Sequence, residues 1–323
     1  MRRPSTLPAF TKDEYIKAHA LLASRVAIMM GRKFEEGDWA AVYCTAKNIP
    51  NRGWSNLNID VIYNGLGVEH KMLRPNGDRP VRETFGMTLM HPSATRSIRI
   101  SDGDPNEVMQ DVFKQYADFL EQRREHVREN CPGFDPDMRT GWVLWQSNLK
   151  DFVYFEEETL TPDPNDYIAE WHENPAKGGR KESKSLWIFE KETRQKRYSV
   201  TTSAGAKIQP YFDVPPSSDP NVYFFKVQGE EYNPGLIRVW IPASTARELE
   251  RLAGSLNVED LHNFINKSIS VSTHAVKDRA SITEEAKPIT LTTESYKLLE
   301  TYFANAVSDA HMIQLLLESR NQQ

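Results

Sequence analysis

The sequence contains very few cysteines: Cys44 and Cys131 are the only two among 323 residues. They stand in no spacing typical of a metal site or a redox motif, which excludes zinc-finger and disulfide-scaffold proteins. Long apolar runs are also lacking, because the most apolar stretch, at 18–31, is short and is interrupted by Arg25. No signal-peptide core follows the basic start. We therefore expect a cytoplasmic protein whose cysteines pack as small apolar residues.

An excess of positive charge is missing as well. The chain has 40 Lys and Arg against 45 Asp and Glu, a net charge of −5, so a nucleic-acid partner would need a locally basic surface. SAGAK at 203–207 lacks the Walker spacing, which disfavours nucleotide hydrolysis. His172 and His274 have no second histidine or cysteine at ligand spacing, which disfavours zinc.

What the sequence does contain is an ordinary globular composition, with 39% hydrophobic and 26% charged residues. Its length permits a sizeable core and two domains. The composition becomes rich in proline, glycine and charge at 161–184. We therefore expect a first domain over 1–160, a linker or insertion over 161–184, and a β-rich and helical region over 185–323.

Local patterns predict the order of elements. In chain order we expect helices over 11–30 and 39–47, strands over 57–63 and 67–73, a strand within 84–92, a helix over 105–129, a strand over 142–146 and a C-terminal helix over 293–319. Asn64–Gly65 between two β-type runs is a strong hairpin signal. A helix between strands implies a parallel pair, so the predicted class is α/β (α+β), with a mixed central sheet flanked by helices.

Three ionisable residues meet across the predicted hairpin. Glu69 and Lys71 are two positions apart in one strand, so they point to the same face, and the turn brings Asp60 beside them. Two carboxylates, completed by waters and a phosphate oxygen, suit Mg²⁺, with Mn²⁺ as the expected substitute. Such a metal polarises a phosphoryl group and lowers the pKa of a bound water. Lys71 can orient or deprotonate that water, or stabilise the developing charge.

The stretch NIDVIYNGLGVEHKML at 58–73 resembles the PD-(D/E)xK signature of the restriction-endonuclease-like nuclease superfamily, with Asp60, Glu69 and Lys71 as the matching residues. Ile59 stands where the signature has proline. The predicted order of elements is similar to the superfamily's common core across residues 34–155. The resemblance implies a restriction-endonuclease-like core and Mg²⁺-dependent cleavage of DNA phosphodiester bonds.

The resemblance also implies a further metal-binding glutamate on the preceding helix. GRKFEEGDW at 31–39 offers two candidates, Glu35 and Glu36. We expect Glu35, because it shares a helical face with Trp39 and Val42, and Glu36 is the alternative. The competing interpretation of the three hairpin residues is an exposed ion-pair cluster worth about 0–1 kcal/mol, with no catalytic role.

Two basic segments are candidates for contacts with DNA. Residues 70–100 carry six Lys or Arg against two acids, and residues 177–197 carry eight against three. Arginine suits phosphate clamping and bidentate guanine contacts, and polar side chains near tyrosines suit backbone and base-edge contacts. The candidates are Arg74, Arg79, Arg82, Arg96, Arg99, Lys196, Arg197, Tyr198, Lys207 and Gln209. The acidic run at 156–173 would repel DNA, so we expect it away from the cleft or against a partner subunit.

The sequence thus leads us to expect an Mg²⁺-dependent endonuclease of double-stranded DNA, by resemblance a type II restriction enzyme acting as a homodimer. The region over 185–323 would then serve DNA recognition and dimerisation. A repair, phage-processing or modification-dependent nuclease is one alternative. A DNA-binding protein without catalysis, whose Asp60, Glu69 and Lys71 are merely paired, is another.

Overall fold

The computed structural model describes residues 4–29, 32–50, 59–75, 79–92, 98–176, 182–201, 206–269 and 285–321. The helices of these residues are α1 (Lys12–Met29), α2 (Glu36–Ala46), α3 (Pro105–Asn130), α4 (Ala243–Ala253), α5 (Val258–Ile269), α6 (Thr293–Tyr302) and α7 (Asp309–Asn321). The strands are β1 (Thr6–Leu7), β2 (Val61–Tyr63), β3 (Leu66–Leu73), β4 (Thr88–Met90), β5 (Asp137–Trp145), β6 (Asp151–Glu158), β7 (Tyr167–Asn174), β8 (Ser183–Glu190), β9 (Lys196–Thr201), β10 (Ile208–Asp213), β11 (Tyr223–Lys226), β12 (Glu230–Asn233), β13 (Leu236–Pro242) and β14 (Ala286–Thr292).

The first sheet is mixed and has six strands in the order β1-β6-β5-β3-β2, with β11 pairing β6 as well. Its β3 and β5 are parallel, as a crossover through the long helix α3 requires, and the remaining pairs are antiparallel. The predicted α+β class and the mixed sheet flanked by helices are therefore confirmed.

The hairpin of β2 and β3 turns where the sequence predicted it. Asn64 and Gly65 have φ of 48° and 84°, the left-handed pair that a tight hairpin needs. A Cβ on Gly65 would lie 2.7 Å from the carbonyl oxygen of Asp135, so only glycine fits here without movement. The turn sets the register in which Val61 opposes Val68, and it thereby places Asp60 next to β3. The part of the predicted first strand at 57–58 lies outside the described residues.

One face of the first sheet is covered by α1 and α2. The core between them contains Trp39 and Tyr43 of α2, Val68 of β3, Tyr154 of β6 and Phe225 of β11, all essentially inaccessible to solvent. Burial of such large side chains is the main stabilising contribution of this layer, at about 1.5–3 kcal/mol for each side chain. The opposite face of the sheet carries the ionisable residues of the hairpin.

The second sheet is fully antiparallel, in the order β4-β10-β9-β8-β7. The third predicted strand exists as β4, and it pairs with β10 of the second sheet instead of a strand of the mixed sheet. A three-residue strand is too short for its own sequence pattern to determine which strand it pairs with. The stretch at 161–184, predicted as a linker or insertion, contributes β7, which pairs with β8 along its whole length.

The long helix α3 lies between the two sheets. Its N-terminal half packs Val108, Val112 and Phe113 against Leu186 and Ile188 of the second sheet. Its C-terminal half reaches the first sheet, where a Cβ on Gly67 would lie 2.7 Å from Val127. Asp104 caps the helix by accepting hydrogen bonds from the backbone amides of the first turn. The position of α3 brings one more charged side chain to the hairpin.

The C-terminal region combines the three-stranded sheet β12-β13-β14 with α4, α5, α6 and α7. The single predicted helix over 293–319 is wrong, because the chain forms two helices separated at residues 303–308. Asp309 fixes this break, since its carboxylate accepts hydrogen bonds from the Gly229 amide at 2.6 Å and from the Tyr296 hydroxyl at 3.0 Å.

Cys44 and Cys131 are both buried free thiols, as the sequence led us to expect. In the part of the chain that the structure describes, no helix combines the length and the apolar character needed to cross a membrane.

Candidate active site

The hairpin gathers the three predicted residues at the edge of the first sheet. Glu69 and Lys71 alternate with Val68 and His70 along β3, and the latter two are buried in the core on the opposite face. Asp60 is fixed beside β3 by two hydrogen bonds. Its backbone amide donates to the Val68 carbonyl at 3.1 Å, and its carboxylate accepts the His70 backbone amide at 2.6 Å.

Glu69 is paired with two cations. Lys71 contacts one of its carboxylate oxygens and Arg123 of α3 contacts the other. The three side chains are only 11–15% exposed, so the competing interpretation of an exposed surface cluster does not describe this group. The sequence analysis missed Arg123. The available signal was its position three residues after Leu120 and seven after Tyr116, on the buried side of a predicted amphipathic helix.

Burial changes the acid–base properties of the group. It raises the pKa of Asp60, although the His70 amide, Lys71 and Arg123 act in the opposite direction. It lowers the pKa of Lys71, while the negative charges of Glu36 and Asp60 oppose that change. It also lowers the pKa of Arg123 to about 10. The charged form of each group would therefore be stabilised by a partner of opposite charge, which replaces the hydration lost on burial.

Glu36 interacts electrostatically with Lys71 and Asp60, whereas the charge of Glu35 acts on Arg32. The side chain of Glu36 is exposed, but the protein around it reduces its solvation and thereby raises its pKa. The positive charge of Lys71 lowers that pKa, and the negative charge of Asp60 raises it. Glu35 is the N-cap of α2, and its backbone amide donates to Asp38 at 3.0 Å. Its charge acts on Arg32 instead. The structure thus favours the alternative candidate, one position later than expected.

The donor set fits a hard divalent cation. Asp60 and Glu69 offer carboxylate oxygens, and a carboxylate has about four lone-pair sites, so the existing contacts leave capacity for a metal. One oxygen of Glu69, Oε2, is buried and has no partner in hydrogen-bond geometry among the described residues, although Arg123 contacts it as an ion pair. No three His, Cys, Asp or Glu side chains of the described chain converge closely enough to hold a metal alone. Waters and a phosphate oxygen would have to complete the shell.

The predicted DNA-binding arginines near the hairpin are exposed. Arg74 directly follows β3, Arg79 and Arg82 lie at the short 3-10 helix Val81–Thr84, and Arg99 precedes α3. The guanidinium of Arg82 lies 3.8 Å from the centre of the Phe224 ring. Arg96 lies outside the described residues.

The predicted contacts on the second sheet divide into two groups. Arg197 is buried, and it donates to Glu190 at 2.6 Å and to Asp213 at 2.8 Å, which is a structural role. Tyr198 packs against the core between α3 and the second sheet. Lys207 is exposed, and Lys196 lies 3.3 Å from the centre of the Trp187 ring.

Gln209, the remaining predicted contact on this sheet, is half-buried and donates to the Pro92 carbonyl at 2.7 Å. Its amide oxygen is the group that it could still present to a ligand.

A cavity of about 160 Å³ opens beside Glu69 and Lys71. It lies between the first sheet, the middle of α3 and the end of the second sheet. Its walls include Tyr116, Trp142, Tyr167, Tyr198, Phe212, Glu157 and Glu158. Glu157 and Glu158 of the acidic run therefore lie beside the candidate site, although we expected the run away from the cleft or against a partner subunit. The register explains this, because Glu69, Thr140 and Glu157 are neighbours across β3, β5 and β6.

Comparison of the chain with protein-family models, with curated proteins and with solved structures gives no match. The site must therefore be judged from its own residues and geometry.

Proposed function

We propose that the protein is a metal-dependent endonuclease that hydrolyses phosphodiester bonds of double-stranded DNA, with Mg²⁺ as the cofactor. The observation that carries this proposal is the placement of Asp60, Glu69 and Lys71 together on one half-buried sheet edge. Two acids and one amine in this arrangement are the minimum for metal-assisted attack on a phosphodiester. The resemblance to the PD-(D/E)xK signature supports the same reaction.

Asp60 and Glu69 would hold the ion, and Glu36, on which the charges of Lys71 and Asp60 act, would be the third acid of the site. The bound Mg²⁺ supplies Lewis-acid polarisation of the phosphoryl oxygen and a water of lowered pKa. Lys71, whose pKa is lowered by burial, is suited to take a proton from the attacking water or to orient it. Arg123, charged and half-buried next to Glu69, would stabilise the negative charge that develops on the phosphate.

Duplex DNA is the proposed substrate because exposed arginines flank the site on a chain with a net charge of −5. Arg74, Arg79, Arg82 and Arg99 are available for phosphate or guanine contacts. A sequence-specific restriction enzyme acting as a cytoplasmic homodimer is the biology we favour. A modification-dependent or repair nuclease is the alternative that the neighbouring cavity supports.

The proposal is tested by incubating supercoiled plasmid DNA with the purified full-length protein in MgCl₂, in MnCl₂ and in EDTA. We expect linear or fragmented DNA with either metal and intact plasmid in EDTA. Sequencing the ends would give the cut position. Intact plasmid, methylated and unmethylated, in both metals would contradict the proposal and favour a DNA-binding role without catalysis.

A further inference from the structure

The cavity beside Lys71 differs in character from the site itself. Its lining includes the ionisable residues Glu69, Lys71 and Arg123 and an aromatic set that comprises Tyr116, Trp142, Tyr198 and Phe212. The Trp142 ring is stacked on the Phe212 ring at a centroid distance of 3.8 Å, which holds these two rings rigidly in place.

The charges of the cavity argue against a phosphate as its occupant. Lys71 and Arg123 are both paired with Glu69. Arg197, which also lines the cavity, is neutralised by Glu190 and Asp213. Among the described residues, each Lys and Arg of the cavity lining is therefore paired with a carboxylate, and the aromatic rings beside them suit a neutral planar ring.

The size of the cavity sets a limit on the occupant. A volume of about 160 Å³ is close to the roughly 150 Å³ of an engineered protein cavity that binds benzene. One heterocyclic ring system fits this space, and a base pair does not. A base can enter such a pocket only after leaving the helical stack, or from single-stranded DNA.

Glu157 supplies a directional polar group inside the cavity. The Trp142 indole N–H donates to its carboxylate at 2.8 Å and so fixes its orientation. The register places Glu157 two strands away from Glu69, roughly 10 Å at about 4.8 Å per strand. A carboxylate is the side chain that accepts from the exocyclic amino group of a base. Burial raises the pKa of Glu157 to about 7, which agrees with a group withdrawn from water.

From this geometry we infer that the cavity binds one unpaired nucleobase that carries an exocyclic amino group, with Glu157 as the group that recognises it. The inference rests on the proposed nuclease function for the identity of the polymer and for the position of the scissile phosphate at Lys71. The inference adds a pocket that recognises a base outside the duplex, next to the phosphodiester bond that is cut.

The test measures binding without cleavage. Fluorescent single strands of dC, dA and dT are titrated with the full-length protein in EDTA. Each strand is about 20 nucleotides long, which exceeds the roughly 4–16 nucleotides of a single-strand site. We expect dC or dA to bind about tenfold more tightly than dT, the effect of one hydrogen bond to a charged group. Glu157→Leu should abolish this preference while leaving dT affinity unchanged, and Glu157→Gln, which keeps an acceptor oxygen, should retain part of it. The exposed Glu173→Leu is the matched control and should behave like the wild type.

A duplex experiment tests the same pocket at the cut. In EDTA, a duplex with a mispaired base next to the mapped cut position should bind more tightly than the matched duplex, because the cost of unpairing is lower. A mispair near the duplex end should have no such effect. Equal binding of dT, dC and dA, or an unchanged preference in Glu157→Leu, overturns the inference even if plasmid is cleaved. A preference that depends on Glu157 in a protein that cuts no plasmid would support the pocket and contradict the nuclease proposal.

Discussion

Arg123 of α3 forms an ion pair with Glu69 of β3, and this pair connects the long helix to the candidate catalytic strand. Both side chains are nearly buried, at 11% and 13% exposure. Among the described residues, neither the Arg123 Nε nor the Glu69 Oε2 has a partner in hydrogen-bond geometry. The pair therefore holds α3 against the hairpin. It also leaves one buried donor and one buried acceptor without a hydrogen bond in the described part of the chain, which a centre that binds a metal and a phosphate would need.

Replacing Arg123 should destabilise the protein and increase its response to metal. In Arg123→Met, Glu69 keeps only one of its two cationic partners, and loss of a buried partner costs about 2–4 kcal/mol. Added Mg²⁺ should then raise the melting temperature of the variant more than that of the wild type. Arg124→Met is the control, since Arg124 pairs with the exposed Glu121 and should change stability by less than about 1 kcal/mol. Equal melting temperatures of the two variants would contradict the buried-pair interpretation.

Lys71→Met should remove catalysis without removing the fold. Methionine matches the apolar part of the lysine side chain and cannot transfer a proton or carry charge, so we expect plasmid cleavage to fall by about 10²–10⁴-fold. Circular dichroism and DNA affinity in EDTA should remain close to wild type. Lys12→Met removes an exposed lysine at the start of α1 and should leave the cleavage rate nearly unchanged. A Lys71→Met protein that cuts at the normal rate would remove Lys71 from the mechanism.

Glu36 and Glu35 form a matched pair for testing the metal shell. Because the charge of Glu36 acts on Lys71 and Asp60, Glu36→Gln should increase the Mg²⁺ concentration needed for half-maximal cleavage. Glu35 is an N-cap residue whose charge acts on Arg32, so Glu35→Gln should leave that concentration unchanged. The measurement is a titration of cleavage rate with MgCl₂ for the three proteins. The opposite ranking would restore the expectation drawn from the sequence.

The sequence predicted those parts of the molecule that depend on local pattern. Asn64–Gly65 fixed the hairpin, strand alternation placed Glu69 and Lys71 on one face, and the apolar stripe located α3. A crossover helix implied the parallel pairing of β3 and β5, which the structure contains.

The remaining features depend on tertiary contacts that no local pattern encodes. The short β4 pairs with a strand of the second sheet. Glu157 lies beside the cavity because of the registers of β3 with β5 and of β5 with β6. The choice between Glu35 and Glu36 depends on where the helix begins. One position changes the direction of a side chain by about 100°, so a small error in a predicted helix start changes which glutamate is expected to face the hairpin.

Glu157 should make stability depend on pH. Its folded-state pKa is raised from 4.5 to about 7, mainly by burial, so the native state binds a proton more tightly than the unfolded chain does. The free energy of unfolding should therefore decrease as pH rises from about 4.5 to about 7, by up to about 3 kcal/mol for this group. Glu157→Gln removes the ionisation. The variant should gain stability relative to wild type between pH 5 and pH 8 in urea titrations, and a pH-independent difference would contradict the assignment.

Arg197 should behave as a structural residue and not as a DNA contact, despite its place in a basic segment. It is buried between Glu190 and Asp213, and its removal leaves two carboxylates without their shared cation. Arg197→Met should therefore destabilise the fold by about 3–5 kcal/mol in urea unfolding. DNA affinity of the folded fraction, and its dependence on salt, should stay at wild-type values. Lys207→Ala should instead change DNA binding and leave stability within about 0.5 kcal/mol of the wild type, because Lys207 is exposed. If Lys207 neutralises one phosphate, its removal should change the slope of log K against log salt concentration by about one unit. If Arg197→Met is stable and loses salt-dependent binding, the basic segment contacts DNA through Arg197 after all.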